Sequence, residues 1–160
     1  MDERLFRNTM GKFATGVTVI TTKYENETVG MTANAFVSVS LDPKLVLISV
    51  ANKARTLGYI QNAKEFAVSF LSDQQKEVSM RFAGQLKEDT AFEFFLFNQL
   101  PVIKDALAAI TCNLYAEYEA GDHTLLLGEV TDVHVRDGDP LLFFQGKYRS
   151  LQSLEEISTL

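Results

Sequence analysis

The most regular pattern lies late in the chain. Residues 106–120 and 124–136 are two long strand-like runs, and Gly121-Asp122-His123 joins them. Two such runs around a short polar tip predict a β-hairpin. Residues 17–24, VTVITTKY, are β-branched and predict a strand, with Glu25-Asn26-Glu27 as the polar turn behind it. LVLISV at 45–50 and EFAVSFL at 65–71 predict buried strands. Residues 28–40 read as extended, Asp42-Pro43 marks a loop, and PLLFF at 140–144 is a last strand before an exit at Gly146.

Helical spacing is rarer. Leu5, Phe6, Met10, Phe13 and Ala14 predict a short amphipathic helix over 3–14, ended by Gly16. Asn52 stands where a helix cap belongs and predicts a helix to about Asn62, with Leu57 and Ile60 facing inward. Val78 and Phe82, four apart, predict another over 74–84. Residues 85–104 read as mixed, Phe-rich loop with Pro101 as a breaker, and Glu155-Glu156 as a solvated C-terminal helix. Strands outnumber helices, and most connections are too short for βαβ crossovers. The expected fold class is mainly β: an antiparallel β-barrel with flanking helices, in one domain over residues 1–160.

Charge and composition narrow the function. The net charge is −6, from 15 basic and 21 acidic side chains, with no Lys/Arg block, so no nucleic-acid partner is expected. No apolar run reaches membrane-spanning length, and Met1-Asp2-Glu3-Arg4 opens no signal peptide, so no membrane association is expected. Cys112 is the only cysteine. It forms no internal disulfide, which fits a reducing cytoplasm. It alternates with Leu114 and Ala116 and reads as a small core residue. His123 and His134 are the only histidines, and with one cysteine they make no zinc site, so no metal is expected. His134 reads as structural or exposed.

Several familiar signatures are missing. The chain has no G-x-G-x-x-G after a strand, no G-x-x-x-x-G-K-[ST] loop and no G-x-S-x-G elbow. Three segments carry the candidate chemistry. Gly30 to Phe36, GMTANAF, precedes Ser38-Val39-Ser40, and small hydroxyl residues there let a ligand approach the backbone; any half-buried strand shows the same alternation. Asn52-Lys53-Ala54-Arg55-Thr56 follows a strand at a helix start, which suits a phosphate or a plain capped helix with solvated cations. At Gly121-Asp122-His123, two turn formers explain themselves, and the imidazole is either a ligand contact or a solvated tip.

The order and spacing of these segments resemble the flavin reductase-like family. ATGVTVITT (14–22), GMTANAF (30–36), SVSLDP (38–43), ART (54–56), RFAG (81–84), PVIKDALAAITC (101–112), the Gly121 to Val130 segment and PLLFFQGKY (140–148) carry the likeness over roughly residues 5–151. The resemblance implies an FMN-binding split β-barrel of Greek-key topology and a homodimer. It implies hydride transfer from NADH or NADPH to FMN or FAD, and supply of reduced flavin to a transiently bound flavin-dependent monooxygenase. It places Thr32, Ala33 and Asn34 along the isoalloxazine ring and ribityl chain, and Ser38, Val39 and Ser40 about the ribityl and phosphate. Ala51, Lys53 and Thr56, with Arg55 between the last two, fall on the ring edge and phosphate. Phe82 and Tyr148 fall near the flavin. Gly121 and Asp122 carry His123, the residue that orients the nicotinamide without shuttling a proton. Ala35 stands where many relatives carry serine, which removes one hydroxyl contact. Three other functions fit the same fold: a non-catalytic flavin-binding or redox-sensing module, a pyridoxamine-phosphate-oxidase-like oxidase, and a purely structural dimer.

Overall fold

A computed structural model describes residues 1–86 and 92–154. The chain runs through α1 (Glu3–Met10), β1 (Thr15–Gly16), β2 (Thr18–Tyr24), β3 (Glu27–Ala33), β4 (Phe36–Leu41), β5 (Lys44–Ala51) and α2 (Arg55–Ala63). It continues through β6 (Glu65–Phe70), a 3-10 turn (Asp73–Gln75), α3 (Lys76–Phe82), β7 (Phe94–Phe97) and β8 (Leu100–Ile103). The last elements are β9 (Ala108–Ala120), β10 (His123–Val135), β11 (Leu142–Phe144) and β12 (Lys147–Arg149).

A seven-stranded sheet in the order β3-β2-β6-β9-β10-β5-β4 forms the body, with antiparallel pairing throughout. Its two edges, β3 and β4, are consecutive in sequence, and Asn34-Ala35 alone bridges them. The sheet therefore curls into a barrel left open along one seam, as the split-barrel expectation requires. Inside lie Ile20, Ile48, Val50, Phe66, Val68 and Leu126, each fully buried, and Leu57 and Ile60 of α2 cover one opening. β2 is buried on both faces, so its three threonines need partners. Thr18 donates to the Ala33 carbonyl at 2.7 Å and Thr22 to the Glu65 carbonyl at 2.7 Å, while Thr21 donates to the Pro101 carbonyl.

Several local expectations need correction. The first helix ends at Met10, and Gly16 belongs to β1. Asn52 does not cap α2: the cap residue is Ala54, which offers no side-chain bond. Residues 94–103 form a two-stranded ribbon, β7 with β8, where a loop was expected. Pro101 does not break it, because a two-stranded ribbon leaves outward backbone positions that need no donor. Gly146 turns the chain back into β12, which pairs with β11. Glu155-Glu156 lie outside the described residues. No helix among the described residues is long and apolar enough to cross a membrane.

Cys112 is buried in the central core, and burial pushes its thiol up from 9.0 to about 12. At pH 8 only about one thiol in ten thousand is then ionised, against roughly one in four in an unfolded chain of ordinary cysteine pKa. Ellman's reagent is expected to leave the native protein unlabelled over minutes and to titrate one thiol once denaturant is added. Rapid labelling of the folded protein would contradict this burial.

Candidate functional site

The segments singled out from sequence fall into two groups, one at the seam and one at the hairpin tip. At the seam, Thr32 and Ala33 end β3 and Asn34 opens the bridge to β4. The Thr32 hydroxyl donates to the Ser79 carbonyl at 2.6 Å. The Ser79 hydroxyl lies 2.8 Å from the Tyr148 hydroxyl. Ser79 is fully buried, so α3 ties one strand of the large sheet to the C-terminal ribbon. Phe143 packs edge-on to Tyr148, with ring centroids 5.4 Å apart. Phe82 lies on Gly30, where an added Cβ would sit 2.8 Å from the ring. Phe82 thus packs on β3 among Phe92 and Phe94 and lines neither cleft at the seam, and Gly30 is the residue that admits it.

Two clefts meet at Asn34. One, of about 180 Å³, is lined by Thr32, Ala33, Ser79 and Tyr148. The other, of about 410 Å³, is lined by Phe13, Thr15, Phe36 and Phe70. The Phe36 and Phe70 rings stand 4.9 Å apart. The Thr15 hydroxyl in this second cleft is the one buried side-chain polar atom among the described residues without a hydrogen-bond partner. A buried unpaired hydroxyl costs about 1–3 kcal/mol unless something meets it. An apolar slot with a lone unsatisfied hydroxyl fits a flat ring that carries hydrogen-bonding groups on its edge. Ala35, Ser38 and Val39 are exposed beside it and Ser40 is half-buried, along the edge strand β4. Its ladder slips between Ser38 and Ser40, which leaves Val39 unpaired opposite β5.

At the tip, His123 pairs with Ala51 as the last rung of β10 on β5. The Asp122 carboxylate lies 2.7 Å from His123 Nδ1 and points the ring's other nitrogen away from its own loop. The hydrogen bond to His123, then the charges of His123 and Lys53, hold the Asp122 carboxyl below the usual carboxylate range. Asn52 binds this tip at three points. Its backbone N–H donates to the Asp122 carbonyl at 2.9 Å and its Nδ2 to the Gly121 carbonyl at 3.3 Å, while its Oδ1 accepts from Thr124 at 2.8 Å.

The two cations expected near a phosphate behave differently. Arg55 forms an ion pair with Glu27 on β3 and donates to the Tyr59 hydroxyl at 2.7 Å. Tyr59 and Arg55 together hold the Glu27 carboxyl low. Lys53 is exposed and makes no ion pair among the described residues. Thr56 is buried beneath the helix start. A further cleft, of about 790 Å³, holds none of the candidate ligand-binding residues. Its two cations are matched, Lys104 by Glu93 at 2.5 Å and Arg136 by Asp105 at 2.8 Å.

Sequence reasoning missed Ser79, Thr15 and the tip-binding role of Asn52. Their signals are tertiary: a carbonyl 47 positions away from Thr32, a lost partner, and a loop 69 positions away from Asn52. His134 is exposed and packs against Phe95 and Phe97, at 5.7 and 5.9 Å between centroids. Among the described residues no three His, Cys, Asp or Glu side chains cluster as metal ligands. What the two groups offer is shape, hydrogen bonds and one positive charge beside an oriented imidazole.

Residues 10–152 match the family model described as the flavin reductase like domain. The chain is 41% identical over 151 residues to an NADH-dependent flavin reductase of a Rhodococcus species, covering 92% of this chain and 86% of that protein. It is 41% identical over 147 residues to the reductase component of 4-hydroxyphenylacetate 3-monooxygenase from Thermus thermophilus, covering 91% and 95%. The solved structure of the flavin reductase PheA2 in its native state superimposes with a TM-score of 0.93 at 59% identity, covering 96% of this chain and 100% of that one.

Proposed function

The chain belongs to the flavin reductase-like domain family, and from that premise we propose how its seam and its tip divide the work of an NADH-dependent flavin reductase. The protein is an oxidoreductase that draws on a reduced nicotinamide and delivers electrons to a flavin, in the manner of the reductase components of two-component monooxygenases. The observation that carries our division of labour is the apolar cleft at Asn34 with the unsatisfied Thr15 hydroxyl in its wall.

Thr32, Ala33, Asn34 and Ala35 line the ring and ribityl chain, with Tyr148 as a wall and Phe82 packed on β3. Ser38, Val39 and Ser40 run alongside on β4. Lys53, with Ala51 and Thr56, receives the phosphate end. Arg55 stays with Glu27 and steadies the start of α2. Gly121 and Asp122 present His123 to the nicotinamide. Bound flavin supplies the electron-accepting chemistry, and the protein supplies position, exclusion of water and hydrogen bonds. FMN and FAD are both accommodated by this assignment, NADH is the donor, and the whole chain acts as one domain in the cytoplasm. Loss of NADH absorbance is expected when FMN, FAD or riboflavin is added. Flavin binding with NADH and NADPH both left intact would overturn the reductase reading in favour of a binding module.

A second copy of the chain completes this reading. Val46, Ile48 and Val50 of β5 point into the core, so the alternating Leu45 and Leu47 point outward. Leu47 stands beside Val37 on one side and Leu127 on the other. Val37 is 52% exposed and Tyr118, opposite Leu125, is 56% exposed. Apolar side chains in a row across three neighbouring strands mark an interaction face. We expect a dimeric mass by light scattering and a monomeric one for Leu127→Asp with Leu47→Asp. A monomeric wild type would remove the dimer from the reading.

A further inference from the structure

We propose that Asn52 is a positioning residue for the reaction: it locks the hairpin tip to the loop after β5 and so holds the His123 imidazole at a set place relative to Lys53. The inference rests on the role given above to His123.

The tip needs such a lock. Pairing between β9 and β6 ends at Asn113 with Glu65, and past it Leu114 still donates to the Lys64 carbonyl at 2.8 Å and Glu117 accepts from Gln61 at 3.1 Å, so the last residues before the tip, 118–120, lean on β10. β10 in turn leans on β5, and that ladder stops at the His123–Ala51 rung. Asn52 is the next residue. Ladder ends fray unless something beyond them binds. The carboxamide of Asn52 gives and accepts at once: Nδ2 donates to Gly121 on one side of His123, and Oδ1 accepts from Thr124 on the other. Its backbone N–H takes the carbonyl of Asp122, the residue whose side chain holds Nδ1 of the imidazole. The three bonds thus fall on both neighbours of His123 and on the residue before them. Thr124 is buried, so its bond to Oδ1 is shielded from water on one side. An aspartate at position 52 keeps the acceptor and loses the donor. A leucine of similar size loses both.

The test compares Asn52→Leu, Asn52→Asp, His123→Ala and the double variant Asn52→Leu/His123→Ala. Asn52→Leu is expected to raise the KM for NADH about three- to tenfold, and Asn52→Asp less, while flavin affinity stays within about twofold. The double variant is expected to be no worse than His123→Ala alone, because both act through one imidazole. A second readout uses flavin-free protein. The chain has two histidines, so the Hε1 region of its imidazole proton spectrum holds two resonances, assigned by His134→Gln. The His123 resonance is expected to shift or broaden in Asn52→Leu and the His134 resonance to stay. If Asn52→Leu fails to fold, Thr124→Val removes the Oδ1 partner and is judged by the same criteria.

An unchanged KM and an unchanged His123 resonance in Asn52→Leu, with a raised KM in His123→Ala, would overturn the proposal and leave the role of His123 standing. An unchanged KM in His123→Ala would overturn both. A parallel loss of flavin and NADH affinity in Asn52→Leu would mark a general structural residue and also overturn the proposal.

Discussion

His123→Ala is expected to raise the KM for NADH by about tenfold or more and to leave flavin affinity within about twofold. A hydrogen bond to a charged or strongly polar partner is worth about 1.5–3 kcal/mol, which corresponds to about a ten- to hundredfold change. The imidazole is in place to make one: its side chain is 43% exposed and Asp122 occupies Nδ1. It is the first residue of β10 and belongs to none of the core clusters, so its removal leaves the barrel intact. Thr32 and Tyr148, which we place beside the flavin, are held at the seam by Ser79 of α3. Asp122 remains ionised to below the ordinary carboxylate range, so at neutral pH it stands as an acceptor for Nδ1. That acceptor is lost as pH falls through the lowered value. Steady-state kinetics at saturating flavin, with flavin binding followed by fluorescence, measure both quantities. Loss of flavin affinity with KM unchanged would exclude this role.

The second large effect is on stability. Phe66→Ala is expected to cost about 3–5 kcal/mol, from a total that for such domains is about 5–15 kcal/mol. The melting temperature then falls by about 6–20 °C. Phe66 is fully buried in the central cluster. Its ring reaches across to Gly128, where an added Cβ would come within 2.5 Å of the ring tip and 2.8 Å of Cys112 Cβ. Gly128 sits where the β9–β10 register shifts, so the hairpin bends over the ring there. The cavity left by alanine is walled by three strands that are fixed by their ladders, and it collapses little. Thermal melts by circular dichroism measure the loss. A shift under about 2 °C would show that the site relaxes.

The strands that could be read from sequence were those whose own residues demand burial. VTVITTKY, LVLISV and EFAVSFL became β2, β5 and β6 nearly to the residue, and the long hairpin became β9 and β10. The ribbon of β7 and β8 stayed hidden because Pro101 and a run of phenylalanines look alike in a loop and in an edge strand. Local propensity placed Asn52 as a helix cap, since capping is what asparagine does within its own neighbourhood. Its actual partners come from the far end of the chain. Arg55 looked like a phosphate ligand for the same reason: Glu27 and Tyr59, which bind it, are 28 positions before it and one helical turn after it. Residue type and order located the candidate groups; pairings between distant residues decided which side chains stand ready for a ligand.

The ladder between β5 and β10 has a consequence for how the protein is made. Its rungs run from Ala51 with His123 to Leu45 with Glu129, about seventy to eighty positions apart. A ribosome therefore completes β4 and β5 long before it reaches their third neighbour. During that interval the nascent hairpin carries apolar side chains on both faces, one destined for the core and one for the outward row. It is the stretch most exposed to wrong pairing or to capture by a chaperone. Asn52 and the hairpin tip meet only after β10 emerges, so a chain released early holds most of its barrel strands and lacks the edge where we place the nicotinamide.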